Sequence, residues 1–214
     1  MSWLQEFVQS DYPVNDLAEK LSMAGFEVES IEDLSNFAQG VVVGYVEKVE
    51  KHPNADKLSV CSVDVAIKDS LQIVCGASNV REGTHVPVAL IGAYLPAKDI
   101  SIKESSLRGV KSQGMICSLN ELGIKSNEEG ICIFEELLEN TPKKGIPVAE
   151  LVGLNDTILE LAITANRPDG MSMIGIAKEV SAITRNSLIP IDEIQELEYK
   201  NIENSNICKR TISE

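Results

Sequence analysis

Apolar positions along the chain fall into three patterns. In residues 13–25, "PVNDLAEKLSMAG", Leu17, Leu21 and Ala24 recur at helical spacing, Asn15 or Asp16 stands where a cap belongs, and Gly25 ends the run. "FEVESIEDL" then reads as a short strand with one buried face, though Phe26, Val28 and Ile31 alternate imperfectly. Near the other end, "TILELAITAN" (157–166), with Ile158, Leu161 and Ile163 alternating loosely, reads as a buried strand. "MSMIGIAKEVSAIT" (171–184) reads as a helix with Ile174, Ala177, Val180 and Ala182 inward and with Asp169 or Ser172 at its start.

Residues 40–149 follow a different rule. Short apolar runs ("GVVVGYVEKVE", "LSVCSVDV", "LQIVCGA", "HVPVALIGAYL", "GMICSL", "GICIF") alternate with Gly, Pro, Asn and Asp, the pattern of five or six short strands in a small β-barrel or sandwich. The expected organisation is therefore a barrel inserted into a discontinuous α/β domain made of 1–39 and 150–190. Residues 191–214 are acidic and poor in apolar anchors. They read as a linker or the truncated start of a next domain, so the chain is expected to be a piece of something longer.

Composition changes this picture little. With 43% hydrophobic and 24% charged residues the chain can bury a core, so disorder is not expected. No apolar run reaches the length of a membrane span and the first residues lack a signal-peptide pattern, which points to the cytoplasm. Five cysteines (Cys61, Cys75, Cys117, Cys132, Cys208) with no Cys-x-x-Cys pair read as buried thiols rather than a disulfide framework or a zinc ribbon.

The net charge of −14 argues against a phosphate-rich partner until its distribution is followed. Residues 40–149 hold 12 Lys and Arg against 14 Asp and Glu, a net −2. The rest of the chain holds 7 against 19, a net −12.

Candidate chemistry concentrates in three stretches. "HPNADKL" (52–58) has the Pro, Asn and Asp of a turn that starts a strand; a catalytic or metal-binding reading would need a partner for His52, and the other imidazole is His85. "IVCGASNV" (73–80) ends a strand in small and polar residues, either a tight exit or a place where a backbone or nucleotide comes close. "KDISIKESSLRGVKSQGMICSLNELG" (98–123) gathers Lys98, Lys103, Arg108 and Lys111 beside Ser105, Ser106, Ser112 and Gln113. Cations next to hydroxyls and amides suit phosphate and ribose, and a solvated loop partly neutralised by Asp99 and Glu104 is the alternative. Aromatic platforms are scarce, with only Tyr45, Tyr94 and Phe134 between 40 and 149, so any RNA affinity is expected to be weak and salt-sensitive. No phosphate-cradling Gly-x-x-x-x-Gly-Lys-Ser/Thr loop, dinucleotide fingerprint or His-Glu-x-x-His occurs.

Taken in order, "HPNADKL", "VCGASNV", "IGAYLP" and "IKESSLRGVKSQGMICSLNELGI" closely resemble the tRNA-binding OB-fold module. The flanks "SWLQEFV", "LAEKLSMAGFEVESIEDL" and "LELAITANRPDGMSMIGIAKEVSAIT" resemble the split amino-terminal domain of the bacterial phenylalanyl-tRNA synthetase beta subunit. The resemblance implies a five-stranded OB-fold β-barrel at 40–149 inside a small discontinuous α/β domain. It also implies tRNA as a partner, an alpha subunit in an α2β2 assembly, and ATP and Mg2+ as requirements of the parent ligase, with none held by this stretch and no catalytic residue in it. The tRNA-facing residues it implies are His52, Asn54, Lys57, Asn79, Lys103, Ser106, Arg108, Lys111, Ser112 and Met115. A free-standing dimeric tRNA-binding or chaperone-like protein is the competing reading, and a small enzyme built on His52 is a third.

Overall fold

A computed structural model describes residues 1–127 and 129–190; the expectation for 191–214, and Cys208 with it, lies outside the described residues. In chain order the elements are α1 (Ser2–Gln5), α2 (Val14–Met23), β1 (Glu27–Asp33), β2 (Val41–Lys51), β3 (Ser59–Asp64), β4 (Leu71–Cys75), β5 (His85–Leu90), β6 (Tyr94–Leu95), β7 (Ile100–Ser101), β8 (Ser105–Leu107), β9 (Val110–Ser112), β10 (Gly114–Ile116), α3 (Phe134–Leu137), β11 (Thr157–Ala162) and α4 (Met173–Thr184). They form two compact units, Leu34–Asn155 and Met1–Asp33 with the described residues from Asp156 on. Residues 34–39 and 150–155 fall in the first unit, where Leu34, Phe37, Ala38, Leu151, Val152 and Leu154 join one apolar cluster. Among the described residues no helix is long and apolar enough to cross a membrane.

The smaller unit pairs β1 with β11 in antiparallel register, Val28 opposite Leu161 and Glu32 opposite Ile158, and Ile31 and Ile158, expected inside, are exposed because only one face of this two-stranded ribbon packs on the helices. Its core is Leu4, Val8, Leu17, Leu21, Phe26, Ile176, Ala177 and Val180. α2 carries no side-chain cap. Pro13 stands at its N-cap, so neither Asn15 nor Asp16 fills that role. α4 does begin on Ser172, whose Oγ accepts the Gly175 N–H at 3.1 Å. Its inward face is Ile176, Ala177 and Val180, while Ile174 and Ala182 turn outward; the core stripe is phased on Ile176 rather than Ile174. In "NRPDG", Arg167 lies 4.0 Å from the Phe26 ring centroid, donates to the Ala24 carbonyl (2.7 Å) and pairs with Asp169 and Glu179. This guanidinium ties loop to helix and is already committed.

The larger unit is a five-stranded antiparallel sheet in the order β10-β5-β2-β3-β4, curled until its two edges meet. Inward side chains Val46, Cys61, Val63, Ile73, Val86, Val88 and Ile116 fill the barrel. Both faces of β2 and β5 are buried, because Val41, Val43 and Ala89 point the other way into a second core with Leu95, Cys117, Leu122, Phe134 and Val148. That double burial is why the strands read as near-continuous apolar runs rather than clean alternations. Burial also pushes the thiols of Cys61 and Cys117 up to about 12, which keeps them in the unreactive form and removes them as nucleophiles.

"GICIF" departs from its expected strand. Ile131 and Ile133 are buried in the barrel core without joining the ladder, and the run ends as the short helix α3. Glu135 on that helix accepts the His85 backbone N–H with both oxygens (3.0 and 2.9 Å) and meets His85 Nδ1 at 2.6 Å. Burial pushes its carboxyl up, but the His85 hydrogen bonds outweigh it, and the net position lies below the ordinary 4.5. A depressed carboxylate contributes stability that is fully present above its unfolded value and lost as pH falls through the folded one. Urea titrations between pH 7 and pH 3 should therefore show an acid-side loss of stability that is shallower in Glu135→Gln, with the difference appearing below about pH 4.5.

Candidate nucleic-acid interface

The candidate interface lies where the barrel closes. Between β4 and the β9–β10 segment, Gln113 N–H donates to the Gln72 carbonyl (2.8 Å), and side chains complete the seam. Gln72 N–H reaches Gln113 Oε1 (3.0 Å), Gln72 Nε2 reaches the Lys111 carbonyl (2.8 Å), and Val74 N–H reaches Ser112 Oγ (3.1 Å). Ser112 is 3% exposed and passes its own proton to the Gly114 carbonyl (3.0 Å). "KSQG" thus fastens a hoop. Ser112→Ala leaves the Val74 N–H buried without an acceptor and should cost about 1–3 kcal/mol, read as a lower urea midpoint with an unchanged slope.

Beside the seam lies a cleft of about 580 Å³, lined among others by Ile100, Lys103, Leu107, Ser112, Met115 and Ile131. Its size falls in the range of ligand pockets, and aliphatic side chains make up much of its wall. The arm from β7 to β8 forms one side. Next to it, β8 and β9 make a two-residue hairpin, Leu107 opposite Val110, with Arg108 and Gly109 at the tip at φ 47° and 90°. Such paired positive φ values define the tight turn whose twist matches the strands, and Gly at the second position accepts it at no steric cost.

The ten residues implied by resemblance divide by position. Lys57, Lys103, Ser106, Arg108 and Lys111 are exposed; Lys111 pairs with Glu104 at 3.2 Å, the partial neutralisation expected of a charged loop. Met115 is half-buried in the cleft wall. Asn54 is exposed but its Nδ2 donates to the Arg108 carbonyl (3.1 Å). The side chains of His52, Asn79 and Ser112 bond the protein's own backbone. His52 is 5% exposed, with Nδ1 accepting the Asn54 N–H (3.0 Å) and Nε2 facing the Leu107 carbonyl (3.0 Å). The first contact leaves the proton on Nε2, which donates. Both ring nitrogens of His52 are therefore engaged by the protein's own backbone.

Asn79 answers the question "IVCGASNV" leaves open. Its Nδ2 donates to the Ile131 carbonyl (2.9 Å) and its Oδ1 accepts the Ile131 N–H (3.0 Å), a two-pronged bond that pins the 130–133 segment. Gly130 beside it has φ 102°, and a Cβ there would stand 2.3 Å from Asn79 Oδ1. The close approach is by the protein's own backbone. Of the aromatics, Phe134 is core, Tyr45 tilts against His85 with ring centroids 5.0 Å apart, and Tyr94 is exposed with its hydroxyl bonded to Asp99 (2.7 Å). Sequence reasoning missed the aliphatic cleft wall, Ile100 and Leu107, since nothing marks an exposed Leu in a charged hairpin until the arm folds over the seam.

Residues 41–142 match the family model described as a putative tRNA binding domain, so the barrel unit is a module of the tRNA-binding OB class. The chain is 66% identical over 188 residues to the phenylalanine–tRNA ligase beta subunit of Prochlorococcus marinus (strain MIT 9313), covering 88% of this chain and 23% of that protein. It is 56% identical over 213 residues to the subunit of the same name from Prochlorococcus marinus (strain NATL2A), covering 99% of this chain and 26% of the relative. The chain is thus closely similar to part of these phenylalanine–tRNA ligase beta subunits, and it spans about a quarter of the length of the curated relatives it matches. Among solved structures, the C-terminal domain of Plasmodium vivax p43 aligns at 33% identity over 44% of this chain and 50% of that one, with a TM-score of 0.32.

Proposed function

We propose that this chain is the amino-terminal, tRNA-contacting module of a phenylalanine–tRNA ligase beta subunit that works in the cytoplasm. Together with an alpha subunit in an α2β2 assembly, the whole protein would attach phenylalanine to its tRNA with ATP and Mg2+. The alpha subunit would supply the aminoacylation site, and residues 1–214 would contribute binding and shape. The observation that carries this reading is the tRNA-binding-domain match at 41–142, which falls on a unit whose exposed cations Lys103 and Arg108 stand beside a cleft. The smaller unit is poorly suited to be a second RNA surface, since its described residues hold 4 Lys and Arg against 12 Asp and Glu.

The test is titration of the chain with a fluorescently labelled phenylalanine tRNA transcript between 50 and 200 mM KCl. Three phosphate contacts, from Lys57, Lys103 and Arg108, correspond to a log–log slope of about −2 and so to a loss of affinity of about tenfold or more over that range. Binding that ignores salt, or no binding at 50 mM, would refute the reading. Tight stoichiometric binding by a homodimer in sedimentation would favour the free-standing alternative.

A further inference from the structure

We infer that His52 and Asn54 are positioning residues that lock the β8–β9 turn so that Arg108 is presented to an RNA phosphate, a role that rests on the tRNA-contacting reading above. Both carbonyls at the start of the turn are held from outside it. Leu107 O receives His52 Nε2 at 3.0 Å and Arg108 O receives Asn54 Nδ2 at 3.1 Å. The two donors are themselves coupled, because the Asn54 N–H bonds His52 Nδ1 at 3.0 Å and thereby selects the tautomer that donates through Nε2. Burial of the ring fixes its direction.

The locked conformation is one the turn would not choose on its own. Arg108 sits at φ 47°, where a residue with a Cβ is crowded and where Asn or Gly is the usual occupant. Strained backbone at an exposed, charged tip persists when its surroundings over-determine it, and such positions gather at binding sites. Holding the peptide oxygens on either side of the Arg108 Cα fixes the direction in which its Cα–Cβ bond leaves the turn. Its neighbour Lys111 is paired with Glu104, whereas no ion pair to Arg108 is present among the described residues. The turn tip lies close to the Asn54 amide: a Cβ added at Gly109 would come within 3.8 Å of its Nδ2. The turn at 52–54 thus acts on RNA through Arg108 rather than by touching it.

The experiment measures the affinity of the 214-residue chain for the phenylalanine tRNA transcript across the salt series, in wild type, His52→Ala, Asn54→Ala, Arg108→Ala and His52→Ala/Arg108→Ala. Arg108→Ala should flatten the log–log slope by about 0.7 to 1, the mark of one lost phosphate contact. His52→Ala and Asn54→Ala should flatten it by the same step, and the double variant should bind no more weakly than Arg108→Ala alone. His52→Gln, whose amide can still donate to Leu107 O, should bind within about twofold of wild type. Unfolding midpoints check that each variant is folded, and the exposed Asn54 carries the test if His52→Ala does not fold. A wild-type slope in His52→Ala and Asn54→Ala, or losses that add to that of Arg108→Ala, overturns the positioning role. Absence of wild-type binding sinks the tRNA reading itself and this role with it.

Discussion

Gly44→Ala is expected to lower the stability of the barrel unit by about 3 kcal/mol, a large effect for a single added methyl group. Gly44 lies mid-strand in β2, pointing into the barrel. A Cβ there would stand 2.6 Å from Val88 Cγ2, 2.7 Å from Val63 Cγ1 and 3.2 Å from Val65 Cγ1. All three neighbours are β-branched, with restricted χ1, and strands on either side hold the backbone in register, so they give little room. Urea denaturation followed by circular dichroism would read the loss. Pairing the change with Val88→Ala, which vacates part of the space, should recover stability relative to Gly44→Ala alone; a neutral Gly44→Ala would mean the barrel is wider than its described geometry.

Lys103→Ala with Arg108→Ala is expected to reduce tRNA affinity by about tenfold at low salt and to flatten the log–log salt slope by about 1.4, two phosphate contacts on a single-strand scale. Both side chains are exposed, and the barrel unit is close to neutral overall, so no broad positive field replaces them. Circular dichroism and unfolding midpoints should be unaltered, because neither side chain supports the core. Charge reversal of Lys57 gives the contrast: if it weakens binding more than the double change does, the interface centres on the 52–58 turn rather than on the hairpin.

How much of this was legible in the sequence depends on the separation of the partners. The barrel showed itself through short apolar runs and turn residues, local signals that each strand carries within itself. The cations at 103–111 were legible for the same reason, since exposure and charge need no partner. The jobs of His52, Asn79 and Ser112 were not. His52 meets Leu107 across 55 residues, Asn79 meets Ile131 across 52 and Ser112 meets Val74 across 38. A polar residue in a binding motif looks the same whether it greets a ligand or closes the protein's own backbone. Deciding between them required the register of β4 against β9, which pattern alone does not fix. The misplaced strand at "GICIF" has a similar origin: an apolar run buried by side-chain pins is as hydrophobic as one buried by a ladder.

The seam at Ser112 has one more consequence, for the width of the groove beside it. Strands joined by a backbone ladder are spaced at about 4.8 Å whatever their sequence. At this seam a serine hydroxyl stands between the Val74 amide and the Gly114 carbonyl, and a glutamine carboxamide bridges on either side of the single backbone bond. The gap is set by the length of those side chains, so they act as spacers, and the calibre of the cleft they border can be changed by substituting a spacer without adding or removing a strand.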